Sequence, residues 1–115
     1  MIYARQGDVI IGQPVTLPIG VRKLSLSERG QVSSTNKCYI LAYGEVTGHS
    51  HKLMVQEEGS VELYEKDGVL YASVKSPTEI VHEEHTAVPV VPSKKVYPIW
   101  TQREYRLGDT QRVLD

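Results

Sequence analysis

Val61-Glu62-Leu63-Tyr64-Glu65-Lys66-Asp67-Gly68-Val69-Leu70-Tyr71-Ala72-Ser73-Val74 decides the fold class. Val61 to Tyr64 alternates apolar and polar side chains, the period of a strand with one buried face. Lys66-Asp67-Gly68 makes a tight turn, and Val69 to Val74 returns in β-favouring residues. An Asp-Gly pair between two such runs is a strong local signal for a hairpin, because it tolerates the positive φ angles of a two-residue turn.

Working outward, Glu57-Glu58-Gly59 turns the chain into this hairpin, and Leu53-Met54-Val55 reads as strand. Cys38 to Tyr43 is the most apolar run and reads as a central strand ending at Gly44. Further back, Ser27 to Lys37 is polar and reads as a loop, and Val21 to Leu26 as a short strand. Pro14 and Pro18 interrupt regular structure. Gly7-Asp8 turns the chain into a buried strand, Val9 to Gly12. On the other side, Ser76-Pro77-Thr78-Glu79 fits a capping box, which would open a short helix from Pro77 to His85. The β-branched Ile80-Val81 and the extended Val88-Pro89-Val90-Val91-Pro92 favour a strand instead. Ser93-Lys94-Lys95 then turns the chain. Val96 to Trp100 and Gln102 to Tyr105 form a long strand, with Pro98 implying an edge or a bulge, and Gly108-Asp109 turns again. Seven to nine short strands with Gly, Pro or Asp punctuation predict one all-β domain over residues 1–115. The expected form is a small sandwich or barrel, jelly-roll types included, with little or no helix.

Composition agrees and excludes several classes. Forty per cent of the 115 residues are hydrophobic, with no Phe, one Trp and seven Tyr, so Val, Ile and Leu must fill the core. The net charge of −1 gives no field for nucleic acid or anionic membranes. No apolar run reaches the roughly 18 residues of a membrane-spanning helix, and Met1 to Asp8 lacks the apolar core of a signal peptide. Cys38 is the one cysteine, which excludes an internal disulfide and makes a reduced, cytoplasmic setting the default. Its apolar surroundings read as those of a buried, inert thiol.

All four histidines fall in two close pairs, His49-Ser50-His51 and His82-Glu83-Glu84-His85. Two imidazoles one residue apart project from one face of a strand. A second pair alongside would give the donor set of a zinc, iron, nickel or manganese ion. On a continuous strand His82 and His85 fall on opposite faces, so both point inward only with a bulge or a short helix. Glu83 and Glu84 are candidate ligands or general bases for metal-bound water. On a strand Glu84 would share a face with His82, and Glu83 with His85. The spacing is one short of the His-Glu-x-x-His of zinc proteases, which disfavours that chemistry. On a strand Arg103 and Tyr105 of Gln102-Arg103-Glu104-Tyr105 would share one face; the preferred reading is a solvated charge ladder rather than a site for a phosphate or a base.

Gly44 followed by His49-Ser50-His51 in an all-β chain resembles the first motif of the cupins. That resemblance implies a metal held by His49, His51 and one of His82 or His85, with Glu57 as the nearest match to the cupin glutamate. Thr47-Gly48-His49-Ser50-His51, His82-Glu83-Glu84-His85 and Gln102-Arg103-Glu104-Tyr105 together resemble a group of small bacterial and phage proteins. That likeness treats the three stretches as one unit and supplies no mechanism. The readings that follow are a histidine-bound divalent metal serving a small-molecule enzyme, or a phage-associated assembly protein with histidines at a subunit interface. Strand edges left without covering helices favour a homo-oligomer in either case.

Overall fold

The protein is described by a computed structural model covering residues 2–33, 35–43 and 49–102. Among these lie eleven strands and one helical turn: β1 (Ile2–Gln6), β2 (Val9–Gly12), β3 (Arg22–Leu24), α1 (Leu26–Arg29), β4 (Gly30–Val32), β5 (Lys37–Tyr43), β6 (Ser50–Met54), β7 (Val61–Lys66), β8 (Val69–Val74), β9 (Thr78–His82), β10 (His85–Val90) and β11 (Tyr97–Thr101). The Asp67-Gly68 hairpin forms as its residues predict. Val61 pairs with Val74 and Lys66 with Val69, and both turn residues take positive φ, 52° and 82°. That is the primed turn whose twist matches the strands.

Two antiparallel sheets pack face to face, with orders β1-β2-β11-β8-β7-β3 and β10-β9-β6-β5-β4. Alternation along each strand aims Leu63, Leu70, Ala72, Val74 and Ile99 from the first sheet at Tyr39, Leu53, Ile80 and Val90 from the second. Full burial of each large side chain contributes about 1.5–3 kcal/mol, so this single layer supplies the main stabilisation. Cys38 is buried, and burial pushes its thiol pKa up, as expected of an inert thiol. No helix among the described residues is long and apolar enough to cross a membrane.

Three local readings are corrected. Residues 27–37 are not one loop: a capping box at Ser25 and Glu28 starts α1, and β4 follows. The same Ser-x-x-Glu pattern at Ser76 to Glu79 opens no helix: the strand that Ile80-Val81 favours forms there, and β9 begins at Thr78. Arg29, at the end of α1, donates to the carbonyls of Ile40 and Leu41 at 2.8 and 3.0 Å. Those carbonyls lie where the register of β5 slips between Ile40 and Ala42, so the arginine satisfies groups at the bulge. Pro98 is not on an edge strand, since β11 lies between β2 and β8. The β2 ladder starts only at Ile99, so Pro98 falls just outside it. There it faces Gly12, where a Cβ would meet the proline Cγ at 2.9 Å.

The third correction concerns His82 and His85. They do not share a strand or a helix; Glu83-Glu84 is a two-residue turn between β9 and β10 that pairs His82 directly with His85. Cross-strand partners project from the same face, so the odd spacing no longer separates them. A bulge does occur, but between His85 and Val88.

Candidate functional site

Three strands of the second sheet carry the site. The ladder Leu53↔Ile80 and Lys52↔Val81 between β6 and β9, continued by one residue, sets His51 opposite His82. The β9–β10 pairing sets His82 opposite His85. The histidines thus form a row one step beyond the apolar row Leu53, Ile80 and Val88, on the same face. The bulge in β10 lets His85 and Val88 share that face although three residues separate them.

The rings converge rather than lie in line. Centroids are 4.3 Å apart for His51–His82, 4.7 Å for His82–His85 and 5.8 Å for His51–His85. These sides make a triangle with a near-right angle at His82. Imidazoles around a tetrahedral zinc, with bonds of about 2.1 Å, have centroids roughly 5.2 Å apart. His49, just before β6, brings its ring to 5.8 Å from His82. His51 is buried, His49 and His82 are half-buried, and His85 is exposed, so the cluster opens toward one side.

The opposite sheet supplies the floor. Gly7, in the β1–β2 turn with φ +60°, lies against the rings: a Cβ there would be 2.8 Å from His85 Nε2 and 3.3 Å from His51 Cε1. The next residue, Asp8, brings Oδ1 to 3.8 Å from His51 Nε2, and its carbonyl accepts from the Gln102 amide at 2.7 Å. Gln6 is buried, and its Oε1 meets His51 Nδ1 at 2.8 Å.

Burial holds the His51 pKa down, to about 4, with the neighbouring His82 and His85 adding to that and Asp8 opposing it. The ring is therefore neutral at neutral pH, the form that ligates a metal. Burial also lowers His82, with His85 contributing. His82 Nδ1 accepts from the Glu84 amide at 3.0 Å. In the neutral ring the hydrogen then sits on Nε2, so a metal bound by this ring displaces that arrangement.

The two glutamates sit in the turn and not on strand faces. Glu83 Oε2 takes Lys52 Nζ at 2.9 Å and Oε1 takes the Ser50 amide at 3.1 Å. The lysine contact, with backbone donors, lowers its pKa to about 2. A carboxylate so stabilised is a weak proton acceptor, and it ties the turn to β6. Glu84 Oε2 lies 3.6 Å from His49 Nδ1. Among the described residues, it is the donor atoms of His49, His82 and Glu83 that fall within 4.8 Å of one another; the triangle, which shares His82 with this more exposed grouping, is a convergence of ring centroids. Glu83 already has a partner on each oxygen, whereas His51 is buried and oriented by Gln6, which favours the triangle.

All four histidines singled out in the sequence therefore meet within one chain. Glu57, which the cupin likeness would add, lies beyond the far end of β6 and accepts from Ser76 Oγ at 3.2 Å. The carboxylate beside His51 is Asp8, which reads in the sequence only as part of a turn. Gly7 likewise reads only as part of that turn and Gln6 carries no signal, because nothing local marks a residue that acts across to another sheet. Gly44, Thr47, Gly48, Arg103 to Tyr105 and the Gly108-Asp109 turn lie outside the described residues. No curated protein and no solved structure matches the chain. The domain of unknown function DUF8820 matches residues 5–102; the chain belongs to that family.

Proposed function

We propose that the domain binds one divalent transition-metal ion through His51, His82 and His85 and offers it to a small-molecule ligand on the open side, beside His49. The observation that carries this reading is the convergence of three imidazoles on one another, at spacings that bracket those around a tetrahedral ion. Neutral imidazoles suit zinc, iron and nickel. The cluster is assembled inside one chain, so a second subunit is not needed to complete it.

Metal analysis of untagged protein is the test. We expect about one ion per chain after incubation with zinc, iron, nickel or manganese and removal of the excess. A content below about 0.2 per chain under every condition would sink the reading. His82→Ala should abolish binding, since that ring touches the other three.

A further inference from the structure

The β1–β2 turn belongs to the sheet opposite the histidine strands, yet it makes the closest polar approaches to His51. Gln6 Nε2 donates to the carbonyls of Ile80 and Thr86, at 2.9 Å each. Both amide hydrogens are thereby used, and the atom turned to His51 Nδ1 is the amide oxygen. That oxygen only accepts, so Nδ1 must carry the hydrogen, and Nε2 of the neutral ring presents a lone pair. Facing Nε2 at 3.8 Å is Asp8 Oδ1. A lone pair and a carboxylate oxygen thus confront each other beyond hydrogen-bond range. Their separation is close to the roughly 3.4 Å between two ligands on a tetrahedral ion with bonds of about 2.1 Å.

From this geometry we infer that Asp8 is the fourth protein ligand of the metal, and that Gln6 is the positioning residue that aims His51 Nε2 at it. The inference rests on the metal reading above and adds to it a hard oxygen donor and one negative charge. Three imidazoles and a carboxylate select zinc, iron(II) or manganese(II) over copper(I). His49 is then left at the rim rather than on the metal, and the small-molecule ligand of the reading above would enter beside it as a fifth ligand.

The experiment compares wild type, Asp8→Asn and His49→Gln, each stripped with chelator and titrated with zinc and cobalt(II). Asp8→Asn should weaken binding at least about 10-fold and alter the visible bands of the cobalt form, while His49→Gln stays within about 3-fold of wild type. The opposite ranking overturns the inference and leaves the metal reading intact. Failure of wild type to bind sinks the metal reading itself. X-ray absorption of zinc-loaded wild type overturns Asp8 if it finds four imidazoles; three imidazoles with one oxygen support Asp8 when zinc binding also shifts a carboxylate infrared band that Asp8→Asn removes, and an oxygen without that band overturns it. For Gln6, nitrogen NMR of the metal-free protein at neutral pH should find His51 with hydrogen on Nδ1, and this preference should fade in Gln6→Leu. A ring protonated on Nε2, or on both nitrogens, in wild type overturns the positioning role.

Discussion

Leu53, Ile80 and Val88 form one row across β6, β9 and β10; His51, His82 and His85 form the next row along the same strands. Register and face are shared, and only chemistry differs. The apolar row gains free energy by leaving water, whereas each imidazole drawn inward loses hydration and must be repaid by a partner. Core stability therefore accounts for the first row and not for the second. A sheet can aim polar groups accurately when the row behind them is already fixed by packing.

The comparison is broken most severely from its apolar side. Leu53→Ala should cost about 2–5 kcal/mol in urea unfolding, because Leu53 is 1% exposed and leaves a cavity. The histidine row should respond to pH instead. His51 has a pKa of about 4 folded and 6.5 as its ordinary value. Below the ordinary value the unfolded chain takes a proton that the folded chain refuses, so stability is full above that value. It falls as pH drops from 6.5 toward 4, by about 2–3 kcal/mol, in metal-free protein. Unfolding midpoints measured across this window should lose that slope in His51→Gln; an unchanged slope would sink the assignment.

Gly7→Ala should cost about 1–2 kcal/mol, from its positive φ. It should also displace His85, whose Nε2 would meet the new Cβ at 2.8 Å, so metal titration should show weakened binding too. The smallest effect is the most informative. His82→Ala should leave metal-free stability within about 0.5 kcal/mol of wild type. It should abolish the gain of about 3 kcal/mol that metal at a hundredfold over Kd should confer on wild type if the proposed site is filled, as thermal melts would report. Loss of the same magnitude with and without metal would make His82 a core residue like Ile80.

Legibility follows the range of the forces. Val61 to Val74 could be read because pattern and turn chemistry sit in one short stretch, and the four histidines could be read because their type alone announces a donor set. The Glu83-Glu84 turn could not. Neither residue favours a turn and neither has positive φ, so pairing of β9 with β10 imposes the reversal rather than the turn directing the pairing. Pro98 misled for a related reason: what it needs is a gap in one ladder, and Gly12 provides it from a distant strand. Gln6 and Asp8 act across the sandwich, and only the folded arrangement names their partners.

The stitch made by Gln6 has a kinetic side. It joins residues 74 and 80 positions apart, and Tyr3 beside it joins Pro89 across 86. Closing such long spans is slow compared with forming local hairpins such as β7–β8. His51 therefore gains its oriented nitrogen only once the two ends of this span have met. The proposed metal site should thus be completed among the last events of refolding, after most tertiary structure has formed.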